Sequence, residues 1–234
     1  MSRSRRLFLF DIDGTLVTAA GAGRIALGRA LTAVYGTTGP IEAYDFRGKT
    51  DPRIVLDLMR GAGLDERAIG DRLAACFDAY VAELDALIGD GARVKIMPGI
   101  AEVVKALAVR DDAVVGLLTG NIEAGARVKL RPTGLWPIFR LGAYGSDDLD
   151  RRKLPGIACE RAREIAGHPF AFEQVTIIGD TPLDVDCARA CGAVAVAVAT
   201  GFHPPEDLKA CAPDLFFTDF SDVPAALAAL TAPR

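Results

Sequence analysis

Residues 7–17 read LFLFDIDGTLV. The first four are all apolar, without the alternation of a half-exposed strand, and this is the pattern of a strand buried on both faces, as in the middle of a parallel sheet with helices on each side. Asp11 and Asp13 follow at once. Burying unpaired carboxylates at a strand end is costly. The cheaper arrangement puts them at the carboxyl edge of the sheet, where open parallel sheets form their ligand crevices, with a cation or a basic side chain to meet them. The stretch therefore marks a site as well as a strand.

Further short apolar runs punctuated by Gly, Pro and Asp occur at 114–118, 175–178, 194–198 and 215–217, separated by helix-period segments. Strands alternating with helices in this way imply right-handed βαβ units. The fold class is α/β, a Rossmann-like parallel sheet core. The rhythm breaks once: residues 18–93 hold no comparable strand run, only helical stretches at 25–35, 53–59 and 68–87. A helical insertion accounts for this, giving a core of 1–17 and 94–234 and a helical cap of 18–93. The Met97-Pro98-Gly99 turn leads back into a helix at 100–107.

Composition narrows the function. Lys and Arg number 27 against 31 Asp and Glu, a net charge of −4 with no basic block, so there is no electrostatic footprint for nucleic acid or an anionic membrane. The four-residue apolar run before Asp11 is too short for a signal-peptide core or a membrane span, and a cytoplasmic protein is expected. Five scattered cysteines lack CxxC spacing and read as reduced thiols. Cys187 and Cys191 lie four apart beside Val185, Ala188 and Ala190 and read as a core helix face. His168 and His203 sit beside prolines in loops, which argues against a histidine triad or a zinc cluster.

Four polar segments fall at or just after strand ends. They are Asp11-Ile-Asp13-Gly14-Thr15, then Thr119-Gly120-Asn121, then Arg151-Arg152-Lys153-Leu-Pro155, then Gly179-Asp180-Thr181-Pro-Leu-Asp184. In a parallel sheet these ends share one edge. Three carboxylates about 5 Å apart repel by roughly 3 kcal/mol per pair at an effective dielectric of 20, and a divalent cation removes that cost. All the ligands on offer are hard oxygens, which favours Mg²⁺. Thr119, the Gly120 and Asn121 amides and a Lys or Arg supply donors for phosphoryl oxygens.

With these residues in this order, the sequence resembles the haloacid dehalogenase superfamily of phosphohydrolases over essentially its whole length. DxDGT matches residues 11–15, the Thr that ends an apolar run matches Thr119, and GDxxxD matches Gly179, Asp180 and Asp184. The resemblance implies that Asp11 is a nucleophile forming an aspartyl-phosphate and that Asp13 is the general acid and then base, its backbone carbonyl also meeting Mg²⁺. It implies further that Asp180 binds the metal, with Asp184 in support. The basic motif departs from the Lys-Pro-x-Pro of the subfamily: aligning on Pro155 selects Arg152, whereas a compact ammonium between carboxylate and phosphate selects Lys153, which is the expected residue. The remaining arginines read as a solvated helix start.

The insertion resembles the mobile cap of phosphoglycolate-phosphatase-like members. Within it Gly48-Lys49-Thr50-Asp51 looks like a substrate-specificity segment, with Lys49 and Thr50 as candidates and Arg47 as a further cation for an anionic substrate tail. The implied function is a Mg²⁺-dependent phosphatase for a small phosphorylated metabolite, a phosphoglycolate-like acid or a sugar phosphate, acting as a monomer or homodimer. A phosphomutase of the β-phosphoglucomutase type retains both acids and is the alternative. Asp13 argues against a haloacid dehalogenase, and the intact acid set argues against a non-catalytic binder.

Overall fold

The structure is a computed structural model describing residues 5–233, so residues 1–4 and 234 of the expected core lie outside it. Strand β1 (Arg6–Phe10) explains its own apolar run. Leu7 and Leu9 enter one hydrophobic cluster and Phe8 and Phe10 the opposite one, each side chain 1% exposed or less. Each such burial is worth roughly 2 kcal/mol, and none of these four positions offers a polar residue access to water.

β1 pairs in parallel with β4 (Ala113–Thr119) on one side and β6 (Val175–Gly179) on the other. With β5 (Gly142–Tyr144), β7 (Val194–Val198) and β8 (Leu215–Phe217), the described sheet runs β5-β4-β1-β6-β7-β8, all parallel. The chain winds outward from β1 in both directions. Asp11 therefore follows the strand at which the order reverses, the place where doubly wound sheets open a crevice.

Helices α4 (Ile100–Ala108), α5 (Glu123–Leu130) and α9 (Val223–Thr231) pack residues onto the Phe8 and Phe10 face. The other face is covered by α6 (Leu154–Ala166), α7 (Pro182–Cys191) and α8 (Pro205–Ala210). Cys187 is fully buried in that layer and Cys191 half-buried, so the pair belongs to a core helix face.

Between β2 (Val17–Thr18) and β3 (Lys95–Ile96), which pair antiparallel, lie α1 (Ala22–Tyr35), α2 (Asp51–Gly61) and α3 (Glu66–Ile88). These three form a separate cluster around Leu31, Leu58, Tyr80 and Leu84, which also takes in Ile122 and Val128 beside the core. Thr50 caps α2, with Pro52 in the first turn, and Asp65 caps α3 by accepting from the Ala68 amide at 2.8 Å. The apolar runs lie within a residue or two of the observed strands. β5 has no such run, because three residues at a sheet edge are too few to show a period. Among the described residues no helix is long and apolar enough to cross a membrane.

Candidate active site

The turn after β1 folds back tightly, the Leu16 and Val17 amides both donating to the Ile12 carbonyl. Gly14 makes this possible: its φ is +83°, and a Cβ there would lie 2.2 Å from Asp180 Oδ2. The Thr15 hydroxyl reaches the same carboxylate, donating to Asp180 Oδ1 at 3.3 Å. Asp180 follows β6, and Asp184 sits in the first turn of α7, where its Oδ2 accepts from the Thr181 amide and hydroxyl at 3.0 and 2.7 Å. Strand end and helix start thus deliver two acids to the edge where β1 delivers Asp11.

One carboxylate oxygen from each of Asp11, Asp180 and Asp184 falls within 4.8 Å of the others, all three residues buried. Burial, then the charges of Asp184 and Asp13, push Asp11 up to about 6 against the pull of Arg151. Burial and the neighbouring acids also hold Asp180 well above the usual carboxylate range. An all-oxygen cluster that resists its own ionisation suits a small hard cation, so the residues present fit Mg²⁺. Asp184 already spends both oxygens on protein partners, which leaves Asp11 and Asp180 the more open.

The basic partner of this cluster is Arg151, and not Lys153 or Arg152. Arg151 Nη2 lies 2.5 Å from Asp184 Oδ1 and 3.2 Å from Asp11 Oδ1, with its side chain 8% exposed. Its Nε is buried with no hydrogen-bond partner among the described residues. Lys153 points to the surface, 63% exposed and 2.9 Å from Asp148, while Arg152 pairs with Asp186 outside the site. The three residues form one 3₁₀ turn, Arg151–Lys153. Successive side chains on such a turn diverge by about 120°, so only one can face inward. The sequence did carry a signal, since Arg151 extends the buried stripe Leu154, Pro155, Ala158, Ala162 of α6 by one turn.

Thr119 ends β4 and is fully buried. Its Oγ1 accepts from the Asn121 amide at 3.3 Å and from Asn121 Nδ2 at 2.8 Å. That carboxamide also reaches Asp13 Oδ2, at 2.8 Å. Two groups that were not among the candidate residues join here, although Asp51 closes the Gly48–Asp51 segment. Lys129 of α5 lies 2.6 Å from Asp13 Oδ2, and Asp51, at the start of α2, accepts from the Ile122 amide at 2.8 Å. Gly120 sits tightly against the helical unit, because a Cβ on it would lie 2.0 Å from the Lys49 carbonyl.

A cavity of about 640 Å³ lies over these groups, walled on the other side by the helical unit. Lys49 faces it with Nζ 3.9 Å above the Tyr44 ring, and among the described residues no carboxylate pairs with it. Arg47 is engaged by Asp45 through Nε and Nη2 at 2.8 and 2.9 Å. Thr50 does not line the cavity; it caps α2, and its hydroxyl donates to the Leu149 carbonyl at 3.0 Å. Asp147 ties β5 to α6, bound through both oxygens by Arg161 at 2.7 and 2.8 Å.

A family model described as haloacid dehalogenase-like hydrolase matches residues 5–192. A phosphoglycolate phosphatase of Synechococcus elongatus is 28% identical over 226 residues, covering 92% of this chain and 93% of that protein. The probable phosphatase IndB of Dickeya dadantii is 29% identical over 227 residues, covering 96% and 94%. Among solved structures, a hydrolase from Pseudomonas syringae superposes with a TM-score of 0.73 at 18% identity, covering 97% of this chain and all of that one. CbbY from Rhodobacter sphaeroides, in complex with phosphate, gives 0.70 at 18% identity, covering 94% and 96%. At these identities the structures share the fold.

Proposed function

The chain belongs to the haloacid dehalogenase-like hydrolases and is a phosphatase, and we propose that it hydrolyses a small phosphorylated metabolite through an aspartyl-phosphate on Asp11. The observation that carries this reading is the meeting of Asp11, Asp180 and Asp184 within 4.8 Å at the switch point, with Arg151 3.2 Å from Asp11. A carboxylate of Asp11 attacks phosphorus as the ester P–O bond breaks, and Asp13 gives its proton to the leaving oxygen. Water then attacks the phosphoryl group, Asp13 takes its proton, and Asp11 is freed. Splitting the hydrolysis in this way divides one of the slowest uncatalysed reactions into two displacements.

Arg151 takes the part expected of Lys153. Its guanidinium keeps Asp11 toward the ionised, nucleophilic form, and its partnerless Nε is a donor suited to a phosphoryl oxygen. Thr119, whose oxygen already accepts from Asn121, keeps its O–H for the same group, and the Gly120 and Asn121 amides lie beside it. Asp11, Asp180 and Asp184 with the Asp13 carbonyl would hold Mg²⁺, which when bound neutralises the acids and the phosphoryl oxygens.

The helices of residues 18–93 act as a cap that keeps bulk water out, and Lys49, which has no ion-pair partner among the described residues, reads an anionic group on the leaving side of the substrate. Phosphorylated acids of the phosphoglycolate kind fit that charge, in line with the activities for which the relatives are named. The test is phosphate release from a panel of phosphorylated acids and sugars with and without Mg²⁺, for the wild type and Asp11→Asn. The wild type should turn over only with the metal. Asp11→Asn should fold and lose more than about 100-fold in kcat, since an amide is a poor nucleophile; a smaller loss sinks the nucleophile assignment.

A further inference from the structure

Ile122, the residue before helix α5, and Ala126 and Leu130 within it face the interior, and Lys129 falls among them, only 5% exposed. An ammonium in such a place is costly unless it is paired. Its two close partners are Asp13 Oδ2 and Asn121 Oδ1, both at 2.6 Å. Asn121 in turn donates from Nδ2 to the same Asp13 oxygen at 2.8 Å. The three side chains close a triangle. Two cations of the site thus serve different acids, Arg151 meeting Asp11 and Asp184 and Lys129 meeting Asp13.

The Asp13 side chain is 48% exposed. On the open turn after β1 an unheld carboxylate would exchange rotamers in water, and proton transfer to a leaving group tolerates little misplacement. Two donors converge on Oδ2, and among the described residues Oδ1 accepts no hydrogen bond. We propose that Lys129 is a positioning residue which, with the Asn121 carboxamide, clamps Oδ2 of Asp13 so that Oδ1 is the oxygen that exchanges a proton with the substrate. The proposal rests on the aspartyl-phosphate reading above. In the first step the Oδ1 proton passes to the ester oxygen while the P–O bond to it breaks and the bond from Asp11 to phosphorus forms; in the second, Oδ1 takes a proton from the attacking water as the Asp11–phosphorus bond breaks.

The experiment compares kcat/KM, which reports steps up to the first irreversible one, on an alkyl phosphate and on p-nitrophenyl phosphate, whose leaving group needs no proton. Lys129→Met should lower the alkyl value by about 100-fold and the aryl value by less than about tenfold, the size expected for loss of a placed general acid. Asn121→Ala, which buries no charge and keeps Lys129, should show the same selectivity more weakly and decides the matter if Lys129→Met does not fold by circular dichroism. Asp13→Asn is the control on the underlying reading. If Asp13→Asn spares the aryl ester while Lys129→Met and Asn121→Ala lower both substrates equally, the clamp is overturned and the acid stands. If Asp13→Asn itself lowers both equally, the acid assignment fails and the clamp with it.

Discussion

Arg151 sits between Asp11 and Asp184, and removing it leaves two buried carboxylates facing each other. Arg151→Met should lower kcat by about 10³-fold and stability by about 3 kcal/mol. Lys153→Met should change neither appreciably, because its pair with Asp148 is exposed to solvent. Steady-state kinetics and thermal melts of both variants check this, and a large Lys153 effect would return the role to the ammonium. Asp51 poses a separate question. Burial pushes it up to about 6 despite the charge of Lys129 and the Ile122 amide. An unfolded aspartate titrates near 4, so the folded state keeps a proton that the unfolded chain releases between those values. The stability this side chain contributes is full below about pH 4 and lost as pH rises through about 6. Asp51→Asn stays neutral and keeps an oxygen for the Ile122 amide. Its stability relative to wild type should rise between pH 4 and 7 by on the order of 2 kcal/mol in denaturant titrations; a flat difference refutes the raised value.

At the scale of elements, backbone brings the helical unit against the end of β4. The Asp51 amide donates to the Gly120 carbonyl at 2.7 Å, and the Gly120 Cα faces the Lys49 carbonyl with no room for a methyl group. Gly120→Ala should force residues 47–51 away from the strand end. The expected outcome is a raised KM and a stability loss of about 2 kcal/mol from overpacking, read by kinetics and thermal melts; unchanged KM would show that this approach does not shape the substrate site. Helix α5 also illustrates what is legible in sequence at this scale. Its interior-facing side could be read from Ile122, Ala126 and Leu130, and Lys129 falls on it. A lysine on an apolar stripe signals a buried partner, yet only the turn after β1 supplies the identity of that partner, Asp13, which is 116 residues away.

For the whole molecule, the sheet gathers acids from positions 11 to 184 at one edge, where their mutual repulsion opposes folding. A bound divalent cation stabilises the native state by mass action and competes with protons for Asp11 and Asp180. Mg²⁺ should therefore raise Tm, and more so as pH rises through about 6, where Asp11 ionises. Thermal melts at pH 5 and pH 8 check this, with Asp180→Asn expected to lose most of the shift at pH 8. A shift that is equal at both values, or intact in the variant, would remove the metal from this cluster.

The α/β class, the positions of β1, β4, β6, β7 and β8 and the acids Asp11, Asp13, Asp180 and Asp184 could be read from the chain alone, because each depends on local pattern: a doubly buried strand must be apolar throughout, and carboxylates at its end must lie at the sheet edge. The pairing of Lys129 with Asp13 and the engagement of Asp51 by the strand-end loop could not, and for Arg151 over Arg152 and Lys153 the chain carried only its register with the buried stripe of α6. These depend on which side of a single turn faces inward and on which distant loop arrives opposite it. Charge alone does not distinguish three neighbouring cations; burial does, and burial is decided only when the sheet and the helices close around them.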